Sequence, residues 1–158
     1  MSTRFARVVA VFAALALVGA GVAVAAAVTV NSAKNPTLGK IVVNSHGFTL
    51  YHNTKEKGSI KCTGSCTAIW PPLIVGKSAT VKAGPGINAA KLGKIKRPDG
   101  RFQVTYFGKP LYRYAPDSKP GNTNGEGIGG IWFALKTSGG LAKTTSGTTT
   151  NTTTPGYP

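Results

Sequence analysis

The sequence from residue 102 to residue 117 reads FQVTYFGKPLYRYAPD. Apolar and polar side chains alternate from Phe102 to Phe107, which is the period of a half-buried β-strand. The segment Phe107-Gly108-Lys109-Pro110 then marks a turn, because glycine and proline favour turn conformations. The pattern continues at Leu111-Tyr112-Arg113-Tyr114, so the stretch predicts two short strands joined by a turn.

Three short landmarks around this stretch occur twice along the chain, in the same order. They are Leu38-Gly39-Lys40-Ile41 and Leu92-Gly93-Lys94-Ile95, Gly47-Phe48-Thr49-Leu50-Tyr51 and Gly108-Lys109-Pro110-Leu111-Tyr112, and Ala68-Ile69-Trp70 and Gly130-Ile131-Trp132. Such self-similarity indicates a duplicated structural unit. We therefore predict two units, residues 38–75 and 92–137, with residues 76–91 as the joint between them.

The fold class follows from strand-like periods and frequent turn residues. The chain of 158 residues contains 21 Gly and 10 Pro, and Pro98-Asp99-Gly100 between two apolar runs is a hairpin signal. Only residues 87–92 have the pattern of a helical turn. We predict an all-β fold, a small and mostly antiparallel β domain of two tandem pseudo-symmetric repeats. Its core is expected to contain the aromatic residues Trp70, Trp132, Tyr51, Tyr112 and Phe48.

The N-terminal segment has the three parts of a secretory signal peptide. Arg4 and Arg7 precede an uncharged run over residues 8–33, which ends in small residues. We predict a signal peptide over residues 1–27, helical in its apolar part, and a linker over residues 28–37. The alternative is an uncleaved membrane anchor, because a run of this length could cross a bilayer. Either interpretation places the domain outside the cytoplasm, in the cell envelope or beyond it.

The C-terminal segment, residues 138–158, is rich in Gly, Ser and Thr. Leu141 is its only aliphatic residue larger than Ala, so the segment buries too little apolar area to offset the entropy of ordering. We predict a disordered tail.

The charge of the chain is strongly positive, with 19 Lys and Arg, 4 Asp and Glu, and a net charge of +15. For an exported protein this charge favours anionic envelope polymers or lipid head groups as partners, rather than nucleic acid. A basic surface that only keeps the protein soluble is the interpretation we favour over a binding role. Four carboxylates and two histidines offer few groups for acid–base catalysis, and no Ser-His-Asp or Cys-His set is recognisable. We predict a non-enzymatic domain that uses no cofactor.

The two cysteines, Cys62 and Cys66, are an even number in an exported chain, which predicts a disulfide. The alternative is a metal site formed by both cysteines with His46 and His52. The spacing of these residues is unlike that of zinc sites, and we expect both histidines to be exposed.

The segment from Asp117 to Gly130 contains two further candidate sites. Asp117, Asn122, Asn124 and Glu126 offer oxygen ligands for a cation such as calcium, although their order does not fit an EF-hand loop. Turn formation by Asp117 is the interpretation we favour, and ligand binding there is the alternative function. Residues 125–130 fit G-x-G-x-x-G, but no helix pattern follows, so we predict a glycine-rich turn and no nucleotide site.

The chain resembles a known family, a bacterial secreted repeat of unknown function also called a lipoprotein repeat, whose hallmark is Tyr-x4-Asp. Residues 112–117 match that hallmark, and residues 51–56 match it with Glu in place of Asp. The Cys62–Cys66 loop and the following Ala68-Ile69-Trp70-Pro71-Pro72-Leu73 also resemble the family pattern. The resemblance covers about residues 38–135 and implies an exported two-repeat domain without an established activity. The lipid-acceptor cysteine is missing, so lipid attachment is not implied.

The motif residues themselves have a structural interpretation. Tyr51 with Glu56, and Tyr112 with Asp117, are each five residues apart. We expect each tyrosine to meet the carboxylate of its own unit across a tight turn, where the carboxylate caps turn amides.

Overall fold

The computed structural model describes residues 27–143. The predicted signal peptide, apart from Ala27, and residues 144–158 of the predicted tail lie outside this range.

Short strands dominate the described residues, as the alternating pattern predicts. The strands are β1 (Val28–Asn35), β2 (Gly39–Asn44), β3 (Tyr51–Asn53), β4 (Ile74–Val75), β5 (Val81–Ala83), β6 (Leu92–Lys96), β7 (Phe102–Tyr106), β8 (Lys109–Pro110) and β9 (Trp132–Ala134). Helical structure within residues 27–143 consists of helix α1 (Cys66–Ile69) and two 3-10 turns, Ala89–Lys91 and Ile128–Gly130. The predicted β class is confirmed, and the first 3-10 turn lies in the segment predicted to be helical.

The strands form three small sheets. Their orders are β2-β1-β5, β3-β9 and β4-β7-β6, with β8 paired to β7. Every pairing is antiparallel except that of β1 with β5. The β3–β9 and β4–β7 pairs join the two predicted units, so neither unit forms its sheets alone. The predicted pseudo-symmetry of the units stays a prediction.

The segment predicted to be a linker, residues 28–37, is instead strand β1 and part of the turn to β2. Six residues of β1 pair with β2, and Val28 lies opposite Val81 of β5. Val30 is fully buried in the core. Val28 and Val30 contribute apolar side chains to the strand, whereas its polar residues are half-buried or exposed. This mixed composition resembles that of a linker.

The turns lie where the sequence predicts them. Gly100, in the predicted hairpin between β6 and β7, has φ +82°. Phe107 and Gly108 join β7 to β8, with φ +50° and +70°. A type I′ hairpin turn has positive φ at both positions, which Gly108 adopts easily and Phe107 adopts against the preference of a residue with a Cβ.

Two clusters of apolar side chains form the core. One contains four of the predicted aromatic residues, Tyr51, Trp70, Tyr112 and Trp132. The other is centred on aliphatic residues such as Val30, Val42, Leu50, Val104 and Leu135. Phe48, predicted to be in the core, is only half-buried, with the Arg113 guanidinium 5.0 Å from its ring centre. It follows a turn at the surface, where a cation can cover its ring.

The beginning of the predicted tail also packs on the domain. Leu141 forms an antiparallel bridge with Leu135, and Ala142 is fully buried. Residues 138–143 are therefore part of the fold, because a single leucine and a small alanine suffice to extend the last pairing.

Candidate functional site: the crossed tyrosine–carboxylate core

The motif tyrosines lie side by side at the centre of the aromatic cluster. The Tyr51 amide donates to the Tyr112 carbonyl at 2.8 Å, and the Tyr112 amide donates to the Tyr51 carbonyl at 2.9 Å. The two residues end the matching landmarks of the sequence, and both are fully buried.

Each tyrosine hydroxyl donates to the carboxylate of the other unit. The Tyr51 hydroxyl lies 2.7 Å from Asp117 Oδ2, and the Tyr112 hydroxyl lies 2.8 Å from Glu56 Oε1. The prediction that each tyrosine meets the carboxylate of its own unit is therefore wrong. Strand β3 continues in extended form from Tyr51 to Asn53, and this carries Glu56 away from the Tyr51 ring.

The carboxylates also close the turns that follow them, which is the role expected of them. Glu56 Oε1 accepts hydrogen bonds from the amides of Lys61 and Cys62 at 2.8 and 2.9 Å. Asp117 Oδ1 accepts one from the Asn124 amide at 3.0 Å. Both carboxylates are buried. Each motif therefore fixes a turn of its own unit and a tyrosine of the other unit.

Burial changes the acidity of both phenols. The pKa of Tyr51 is raised far above its ordinary value by desolvation, and further by the hydrogen bond to Asp117. The pKa of Tyr112 is raised for the same reasons, with Glu56 as the carboxylate. Both phenols therefore stay protonated and act as hydrogen-bond donors, not as bases.

A buried arginine, Arg97, completes the site. It is 2 % exposed, and its Nη2 donates to the Cys62 carbonyl at 2.7 Å. Its Nη1 donates to Gln103 Oε1 and to the Tyr112 hydroxyl. The sequence shows Arg97 only as the end of a basic run before a turn, so sequence reasoning missed it, together with its hydrogen-bond partner Gln103.

The two tryptophans stack directly on each other. Trp70 and Trp132 have ring centres 3.9 Å apart and planes inclined by 5°. Tyr51 meets Trp70 edge-on, and Tyr112 meets Trp132 in the same way. A Cβ on Gly125 would lie 2.9 Å from the Tyr51 ring, so the predicted glycine-rich turn supplies close packing here.

The cysteines form the predicted disulfide, Cys62–Cys66, which encloses the turn before α1. Its formation removes both thiolates from the alternative metal site. The histidines of that site differ from each other, since His46 is exposed and His52 is 5 % exposed. His52 is buried because it lies in β3 opposite Phe133 of β9, whereas we expected it at the surface.

Several oxygens of the turn after Asp117 accept hydrogen bonds within the protein, whereas Glu126 Oε1 is buried without a partner among the described residues. Asn122 Oδ1 accepts from the Lys119 amide, and Glu126 Oε2 accepts from the Ala134 amide. Desolvation raises the pKa of Glu126. Residues 27–143 contain no group of three or more His, Cys, Asp or Glu side chains arranged to hold a metal ion.

A cleft of about 380 Å³ opens beside Glu56. Its wall includes His52, Glu56, Lys57, Gly108, Lys109 and Leu141. Both units thus contribute lysines to one surface depression.

Comparison with known proteins supports the family resemblance. Residues 93–136 match a family described as a secreted repeat of unknown function, which confirms the resemblance over the second unit. No curated protein and no solved structure matches the chain. Within residues 27–143, no helix is long and apolar enough to cross a membrane.

Proposed function

We propose that the chain is a non-catalytic domain of the cell envelope that binds anionic envelope polymers through a lysine-rich surface. Export is supported by the matched family, which is described as secreted. The observation that carries the binding proposal is that the carboxylates are buried or paired, while the lysines are exposed.

The four carboxylates between residues 27 and 143 contribute little negative charge to the protein surface. Glu56 and Asp117 are buried, Glu126 is half-buried, and Asp99 is paired with Arg101 at 2.7 Å. Twelve of the fourteen lysines in this range are exposed. They are Lys34, Lys40, Lys55, Lys57, Lys61, Lys77, Lys82, Lys91, Lys94, Lys96, Lys119 and Lys143. A surface of one sign attracts polyanions and is screened by salt.

Two of these lysines face each other across a strand pair. Lys34 of β1 lies directly opposite Lys40 of β2, and both are exposed. Like charges opposite each other destabilise a sheet. A bound polyanion would screen that repulsion, so we expect this pair to contribute to binding.

The buried polar groups support a structural rather than catalytic role. Both phenols donate to carboxylates that also accept turn amides, so the pairs stabilise the fold from inside. In this proposal the two units are pseudo-symmetric halves. The contacts between Tyr51 and Tyr112, and between Trp70 and Trp132, support that relation.

Sedimentation with purified bacterial envelopes over a range of salt concentrations tests the binding. We expect binding at low salt, and its loss as salt rises. The variant Lys34→Gln/Lys40→Gln should bind more weakly by about 1 kcal/mol for each lysine removed. Lys77→Gln/Lys119→Gln, which removes two exposed lysines that are not opposite each other, is the matched control and should lose less. Absence of binding at low salt would exclude the proposal.

A further inference from the structure

The cleft beside Glu56 combines cations with a neutral acceptor. Lys57 is exposed and Lys109 half-buried, and they come from different units. The Glu56 carboxylate lies in the same wall: its Oε1 accepts hydrogen bonds from the Tyr112 hydroxyl and from the amides of Lys61 and Cys62, and its buried Oε2 has no hydrogen-bond partner among the described residues. Two lysine ammonium groups against one carboxylate leave the wall of the cleft with an excess of positive charge.

The acceptor is the imidazole of His52. Its Nδ1 lies 3.3 Å from the Pro110 carbonyl, which can only accept, so Nδ1 carries the hydrogen. Desolvation lowers the pKa of His52 below its ordinary value, which favours the neutral ring. The other ring nitrogen, Nε2, is then an acceptor, and a ligand hydroxyl is a suitable donor.

From this arrangement we infer that the cleft binds a small anion that also carries hydroxyl groups. Its acid group contacts Lys57 and Lys109, and a hydroxyl donates to His52. A volume of about 380 Å³ is within the size of small-molecule sites. The inference rests on the proposed function, since such an anion is one unit of a polyol-phosphate or uronate polymer.

Nuclear magnetic resonance of the two imidazoles tests this inference in the folded chain. Titration with glycerol 3-phosphate and with glucuronate should shift the His52 signals in a saturable manner and leave those of exposed His46 unchanged. A response to only one probe identifies phosphate or carboxylate as the acid group. Methyl phosphate, which lacks the alcohol, and glycerol, which lacks the charge, should bind at least about tenfold more weakly.

Substitution of one lysine separates the cleft from the general basic surface. Lys109→Met should weaken the binding of the responding probe by about tenfold or more. Lys82→Met, an exposed lysine on β5, is the matched control and should bind as the unmodified chain does. Equal binding by both variants, or no saturable His52 shift with either hydroxylated anion, would overturn the inference. Salt-sensitive envelope binding would survive that result, so the two proposals fail separately.

Discussion

At the scale of single residues, the crossed tyrosine–carboxylate pairs make a quantitative prediction. Tyr51→Phe and Asp117→Asn should each destabilise the fold, because each leaves a buried partner without its hydrogen bond. In a double-mutant cycle the two changes should couple by about 1–3 kcal/mol. Urea unfolding of the four proteins measures this coupling.

The matched control uses the carboxylate of the same unit. Tyr51→Phe combined with Glu56→Gln should be additive within about 0.5 kcal/mol, because Tyr51 and Glu56 share no hydrogen bond. Strong coupling in this pair, with additivity of Tyr51 and Asp117, would contradict the crossed arrangement.

The raised pKa values of the two phenols predict alkaline instability. The ordinary pKa of tyrosine is 10.0, and burial raises that of Tyr51 and Tyr112 in the folded chain. Above about pH 10 the unfolded chain releases these protons and the folded chain keeps them, so stability falls as pH rises. Each phenol contributes up to about 1.4 kcal/mol per pH unit. Unfolding free energies measured from pH 9 upward should show this slope.

Two comparisons check the origin of that slope. Tyr51→Phe/Tyr112→Phe should unfold with a shallower dependence on alkaline pH, although it is less stable at neutral pH. Tyrosinate absorbance of the unmodified chain should show these two phenols ionising only together with unfolding. Ionisation of all tyrosines before any loss of circular dichroism would refute the assignment.

The partners of the motif residues could not be predicted from the sequence. The spacing of Tyr112 and Asp117 indicates that they form one motif, and turn closure by the carboxylate follows from its chemistry. Which carboxylate meets which phenol depends on the register between Tyr51 and Tyr112, and that register is formed by residues distant in the chain. Arg97 was missed for the same reason, since its partners Cys62 and Tyr112 belong to other segments.

At the scale of elements, the residue types along the chain are sufficient to predict the turns, but not the strands of mixed polar and apolar composition. Gly100 and Gly108 have the positive φ that their hairpins require, and a sequence displays glycine directly. Strand β1 has a mixed composition, and its pairing with β2 and β5 becomes visible only in three dimensions. Helix α1, four residues long, is too short to show a helical period.

At the scale of the whole molecule, the contacts between the units predict a single cooperative unfolding transition. The β3–β9 pair, the Trp70–Trp132 stack and both phenol–carboxylate bonds all join residues of the first unit to residues of the second. If one unit unfolded alone, the tryptophan of the folded unit would lose its stacking partner and become exposed. The buried carboxylate of the folded unit would also lose the tyrosine hydroxyl that donates to it. Separate unfolding is therefore costly, and two-state behaviour is expected.

Tryptophan fluorescence and far-ultraviolet circular dichroism measure this cooperativity along one urea titration. Fluorescence reports the indole stack between the units, and dichroism reports the strands of both. We expect the two transitions to coincide, and Asp117→Asn to move both midpoints together to lower urea, because the bond it removes joins the units. A fluorescence change well before the loss of strand signal would instead mean that each unit keeps its own sheet after they separate. The β3–β9 and β4–β7 pairs argue against that outcome, since each sheet they form contains strands of both units.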